Sequence, residues 1–144
     1  MLKKLLATPS DLVATIARLA LGLMILPHGL AKITHVSGTM HYFDSLGIPA
    51  FFGYFAILAE SVGSVGLIAG VLSRIAAFGV GTNMVVAILL IHRHVGFYMN
   101  WSGQYPPGKE GYEFHLLAIG LALIVLIRGG GAWSLDRVIG RSKD

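Results

Sequence analysis

The chain has 144 residues, of which 55% are apolar and 12% charged, with a formal net charge of +4 and a mean hydropathy of +0.73. A soluble domain of this size cannot bury so much apolar surface, and the basic residues sit at helix ends and tails instead of forming a run, which points to membrane topology and away from nucleic acid. There is no cysteine, which excludes disulfides, thiolate zinc sites, iron–sulfur ligation and thiol redox chemistry by this chain, so any redox role borrows an external carrier.

Four apolar stretches have the length of about 20 residues that a helix needs to cross the hydrocarbon core: 11–33, 49–72, 74–95 and 111–128. The first follows Lys3 and Lys4 but carries Arg18 in its middle and no small-residue cleavage site, so it reads as a retained span and not a signal peptide. Asp11, after Pro9 and Ser10, caps it. At about 100° per residue, Arg18, Gly22, Ile25, Gly29 and Lys32 lie on one stripe. That stripe faces inward, since charge turned to lipid costs about 2.5 kcal/mol or more. Pro27 removes a backbone donor and is expected to kink the span just before His28, which either opens a pocket there or is absorbed by neighbouring helices.

Pro49 suits the first turn of the second span, where Gly53, Glu60, Ser64 and Leu67 share a face and Gly63, Gly66 and Gly70 allow close backbone approach. Only Ser73 and its neighbours separate spans two and three, which makes them adjacent and antiparallel. On the third span Ala76, Gly79, Asn83, Ala87 and His94 share a face while His92 points the opposite way, which favours His94 as a functional residue over His92. The fourth stops at Gly129, Gly130 and Gly131, leaving a short basic tail over 129–144. The predicted fold is all-α: a single membrane domain over 1–144, built as a four-helix transmembrane bundle running up-down-up-down. Lys3, Lys4, Arg74, Arg128, Arg137, Arg141 and Lys143 fall on one side against Lys32, Arg93 and Lys109 on the other, so both termini are expected to be cytoplasmic.

On that topology all six histidines, His28, His35, His41, His92, His94 and His115, lie at or near the outer face, together with most aromatic residues. The aromatics form an interfacial belt or line a flat apolar pocket for a planar ligand such as a quinone. By a rise of 1.5 Å per residue, Arg18 sits about 10 Å, Asn83 about 13 Å and Glu60 about 18 Å from the cytoplasmic end. The expected interior is an Arg18–Glu60 ion pair with Asn83 bonded nearby, and an outer polar layer of His28, Lys32, His94, Glu113 and His115. The plain reading of Arg18 and Glu60 is helix glue without chemistry. For His28 and His115 the chemical reading is a hydrogen bond to a quinone carbonyl or relay of its proton. No metal site is expected, because the only close histidine pair, in His92-Arg93-His94, splits its rings to opposite sides of a helix. Haem ligation by His28 and His115 ranks below the quinone. No dinucleotide fingerprint is present: Gly79-x-Gly81 lies inside a span.

The run Arg18-x-x-x-Gly22, His28-Gly29-x-x-Lys32, Glu60-x-x-Gly63, Gly70-Val71-Leu72-Ser73-Arg74, Gly111-Tyr112-Glu113 and Gly129-Gly130-Gly131-Ala132-Trp133-Ser134-Leu135-Asp136 resembles the DoxX family of small bacterial membrane proteins. The resemblance touches all four spans and implies a four-helix bundle in the bacterial inner membrane. Relatives act as a membrane subunit of a thiosulfate to quinone oxidoreductase, and many members are called oxidoreductases by similarity. By position Arg18, Gly22, His28, Gly29, Lys32, Glu60, Gly63, Arg74, Glu113 and Trp133 match the pattern, whereas His94 and His115 lie outside it.

The leading expectation is therefore a membrane subunit that binds a quinone or similar small aromatic molecule near the outer leaflet, with a partner protein supplying the redox centre. A second copy of the chain is a further candidate partner. Two other classes are open: a transport or binding module for a hydrophobic metabolite, and a scaffold that recruits a partner enzyme through a Gly66-x-x-x-Gly70 contact face.

Overall fold

Asp11 starts the first helix, α1 (Leu12–Thr34), by accepting hydrogen bonds from the backbone N–H groups of Val13 and Ala14, two of the donors that a helix start leaves unpaired. Desolvation pushes the Asp11 carboxyl up, but these N–H groups and the Arg128 guanidinium outweigh it and hold the group below its ordinary range. The structure, a computed structural model, describes residues 6–106 and 109–141. Among them every regular element is helical. After α1 come α2 (Val36–Ser45), α3 (Phe52–Ala69), α4 (Ser73–Leu90), a 3-10 turn (His92–His94), α5 (Glu113–Arg128) and α6 (Leu135–Arg141). Three of them, α1, α3 and α4, are long and apolar enough to cross a membrane, each with a hydropathy of 1.6. The fourth long helix, α5, has 16 residues.

Helix α1 packs on α3 and α5, and α4 also packs on α3 and α5. Between them lies a core of Ala17, Leu21, Ile25, Leu67, Ala77, Val80, Met84, Ala118, Ala122 and Val125. The expected inner stripe of the first span is in place: Arg18, Gly22, Ile25 and Gly29 are all buried. So is the Gly53, Glu60, Ser64, Leu67 face of α3. Gly29 explains how closely these two helices approach, because a Cβ on it would land 2.6 Å from Ser61 N and still nearer the Glu60 carbonyl. Contact at that point brings Lys32, one turn further along α1, beside Glu60.

Three expectations change. Residues 34–48, which fall between the first two expected spans, contain α2, which has no buried residue and packs on α3, with Met40 against Gly53. The third span, expected to run to 95, ends at Leu90, where Ile91 leaves helical geometry at φ −124° and ψ −63°. The C-terminal segment is no free tail over its described part, since residues 129–136 fold back against the ends of α1, α3 and α4.

That fold-back overturns the Arg18–Glu60 pair. Arg18 is 1% exposed and donates to four carbonyls: Gly130 at 2.6 Å, Leu67 at 2.8 Å, Ile68 at 2.7 Å, and Trp133. Two of these are C-terminal carbonyls of α3, where a cation also opposes the negative end of the helix dipole. Side chains on a helix lean toward its N-terminus, so Arg18 leans away from Glu60. Lys32, farther along the same helix, leans toward it.

Asp136, also 1% exposed, accepts from Leu72 N at 2.7 Å and Ser73 N at 2.8 Å. It caps the start of α4 from across the chain and holds a turn in which Leu72, a residue with a side chain, adopts φ +48°. Arg74 in turn donates to the Leu126 and Ile127 carbonyls at the end of α5. Asp136→Ala would leave two N–H groups buried without an acceptor and is expected to lower stability by about 2 kcal/mol. Thermal unfolding in detergent checks this, and an unchanged midpoint would contradict the capping role.

Candidate functional site

From the opposite end of the molecule a cavity of about 1400 Å³ extends along α3 and α4, bordered also by α1, α2, the 92–94 turn and the start of α5. Its polar groups gather where α1 and α3 meet. Lys32 Nζ donates to Glu60 Oε2 at 2.5 Å, and Glu60 Oε1 accepts from Asn83 Nδ2 at 2.8 Å. Both oxygens of a carboxylate deep in an apolar span are thus occupied, which is the condition for burying such a charge. The Glu60 side chain is 6% exposed and that of Lys32 30%, so the pair is sealed on the helix side and reachable from the cavity.

The imidazoles of His28, His92 and His115 line the same cavity. His28 lies against Phe114, with ring centroids 5.6 Å apart. The rings of His92 and His115 are tilted against each other, with centroids 4.0 Å apart and planes at 40°. His92 Nδ1 is 2.7 Å from the Glu110 carbonyl; since a carbonyl only accepts, that nitrogen carries the proton, and in the neutral ring Nε2 is left as an acceptor. His115 is 8% exposed, and its buried Nδ1 has no hydrogen-bond partner among the described residues. Orphaned buried polar atoms are uncommon and costly, by about 1–3 kcal/mol.

The expected site residues divide. Glu60 and Asn83 meet as anticipated, with Lys32 replacing Arg18 as the partner, and His28 and His115 line the same cavity. His94 does not: it is exposed, and its Nε2 accepts from Arg93 Nε at 3.0 Å. The cavity receives His92 instead. The preference for His94 came from carrying 100° per residue past Leu90, whereas the chain leaves the α-helix there and tightens into a 3-10 turn, resetting the angular phase. Glu113 is also absent from the cavity wall. It accepts from Met99 N at 2.9 Å and Trp101 Nε1 at 3.0 Å, tying down the loop that precedes α5. The Ala76, Gly79, Asn83, Ala87 face of α4 lines the cavity, while the face turned fully inward is Ser73, Ala77, Val80 and Met84.

Gly66 and Gly70, considered as a face for another protein, are used inside the chain: a Cβ on Gly66 would meet Val71 O at 3.2 Å, and one on Gly70 would meet Ser134 Cα at 2.6 Å. Among the described residues no group of three or more His, Cys, Asp or Glu could hold a metal ion. Sequence reasoning missed His92 and the Glu110 carbonyl that orients it. The aromatic rings fall in two places: Phe52, Phe55 and Phe114 line the cavity, while Tyr54, Tyr98 and Trp101 are exposed away from it.

The DoxX family model matches residues 13–93. Over 134 residues the chain is 29% identical to "Inner membrane protein YqjF" of Escherichia coli (strain K12), a match that covers 91% of this chain and 95% of that protein. It is 28% identical over 88 residues to "Putative oxidoreductase CatD" of Bacillus subtilis (strain 168), covering 61% of this chain and 66% of that protein. No solved structure matches the chain. Together with three helices of spanning length, these likenesses make it a multi-pass membrane protein.

Proposed function

The chain belongs to the DoxX family, and on that premise we propose that it is a membrane subunit of a quinone-linked oxidoreductase, holding a quinone or a similar small aromatic molecule in the histidine-lined cavity. It lies in the bacterial inner membrane as a four-helix bundle with both termini cytoplasmic, α5 being the fourth span. At 1.5 Å per residue α5 is about 24 Å long, short of a 30 Å core, a mismatch that bilayers absorb by local thinning. The basic end of the molecule, with Arg74, Arg128 and Arg137, then faces the cytoplasm, and the cavity opens toward the outer leaflet.

The observation that carries the reading is His115, which lines a largely apolar cavity and whose Nδ1, closed off from solvent, has no hydrogen-bond partner among the described residues. A turn of the imidazole would bring that nitrogen to a ligand atom, and a quinone carbonyl has the chemistry to accept from it when it is protonated. The residues present fit such a ligand: Lys32 and His28 are further donors, and Phe114 and Phe52 are ring surfaces. When bound, the quinone supplies the electron-accepting ring. The chain's own part is to orient that ring, exclude water from it, and keep exchangeable protons on the Lys32 ammonium and the imidazoles, with Glu60 holding the ammonium in place. Electrons come from a partner protein, because a chain without cysteine offers no thiol or iron–sulfur centre.

His115→Phe keeps the ring and its burial but removes the nitrogen. It is expected to weaken binding of a methyl-substituted benzoquinone, measured in nanodiscs, by about tenfold or more, equivalent to one lost hydrogen bond of about 1.4 kcal/mol. Wild-type affinity in the variant would refute the assignment.

A further inference from the structure

The same cavity is too large and too long for a single ring. It encloses about 1400 Å³, where sites for drug-sized molecules enclose about 300–1,000 Å³. Its polar groups sit at one end, yet its lining continues along α4 from Leu90 back to Ile75, about 22 Å at 1.5 Å per residue. Over that length the walls are Leu58 and Val62 on α3 and Ile75, Phe78 and Val86 on α4, all more than 40% exposed. The floor is Gly63 and Gly79. A Cβ on Gly79 would meet only Ala59 Cβ, at 3.9 Å, so the groove over it is open space bounded by no backbone. It runs without a break into the chamber lined by His28, Lys32 and His115.

We propose that the ligand is a long-tailed amphiphile: a hydrogen-bonding ring lodged among Lys32, His28 and His115, and one flexible apolar chain laid between α3 and α4, entering sideways from the bilayer. This rests on the quinone reading above and adds its tail. Charge placement favours a neutral ring with a single chain over a phospholipid. The Lys32 ammonium is already neutralised by Glu60 at 2.5 Å, so it can still donate to a neutral carbonyl, while among the described residues no other Lys or Arg lines the chamber to balance a phosphate. Because the tail exchanges one apolar surrounding for another, its gain comes from packing against the walls and not from leaving water.

The test uses the full chain in nanodiscs and a benzoquinone bearing a decyl tail with a photoreactive diazirine at its end, crosslinked with and without excess unlabelled decyl-benzoquinone. Crosslinks that the competitor removes are expected on Val62, Ile75 and Phe78. Gly79→Leu, whose Cβ would meet only Ala59 Cβ at 3.9 Å, should reduce them several-fold, while Leu23→Ala, on the exposed side of α1 and outside the cavity lining, should leave them at the wild-type level. Competitor-sensitive binding of the ring with crosslinks scattered over the outward residues Leu23 and Ile127 would overturn the tail groove and leave the quinone reading standing. No competitor-sensitive binding of either benzoquinone would overturn both.

Discussion

Arg18→Met is expected to undo the basic end of the molecule. The guanidinium satisfies four carbonyls contributed by α3 and by the returning C-terminal segment, and a thioether satisfies none. Breaking a buried charged network by removing one member costs about 3–5 kcal/mol, and here the orphaned carbonyls belong to two segments that hold together through the missing group. The variant should unfold at a much lower temperature in detergent or fail to accumulate in the membrane. Arg18→Lys should recover only part of the loss, because a single ammonium lacks the planar fork that reaches carbonyls on both sides. If a folded Arg18→Met protein unfolds at the wild-type temperature, Arg18 is not what joins these segments. Any preparation of the variant that does fold should bind a quinone normally, since Arg18 does not line the cavity.

Glu60→Gln tests the other end and separates glue from chemistry. The amide has no charge and a single acceptor oxygen in place of the two that serve Lys32 and Asn83, so the Lys32 ammonium loses its counter-charge and the variant should lose both stability and quinone-linked activity. Lys32 is partly exposed, so the stability cost is discounted to about 1–2 kcal/mol. The double variant Lys32→Met/Glu60→Gln removes both charges, and paired deletions of this kind restore stability even where single ones do not. Stability is therefore expected to return in the double variant while binding of the ring does not. Recovery of both, read by thermal unfolding and benzoquinone titration, would reduce the pair to a helix fastener.

These two residues mark where reading the chain succeeded and where it stopped. Periodicity placed Arg18 and Glu60 on inward stripes, and burial agrees: they are 1% and 5% exposed. It assigned them to each other by axial depth alone, with no regard to the direction in which a helical side chain leans. The lean sends Arg18 to the carbonyls of residues 130 and 133 and Lys32 to Glu60. In the same way a constant angular step put His94 inward, and the break at Ile91 delivered His92. The Gly129-Gly130-Gly131 run was legible as a stop signal. That it lets the chain turn back under the helices, with Gly131 against Thr15 and Asp11, involves a partner segment more than a hundred residues away.

Composition and spacing alone determined that this is a helical membrane protein, where its long helices lie, which faces of α1 and α3 turn inward and which residue types serve as candidates at the histidine end. Those properties follow from local periodicity and from the cost of exposing polar groups to lipid, both of which are written residue by residue. Tertiary structure alone decided the pairings: Arg18 with backbone carbonyls, Lys32 with Glu60, His92 with His115, and Asp136 with the start of α4. A pairing depends on how far each side chain leans, on where a helix changes pitch and on how closely two backbones approach at Gly29. These are properties of packed helices in three dimensions, and no single stretch of sequence contains them.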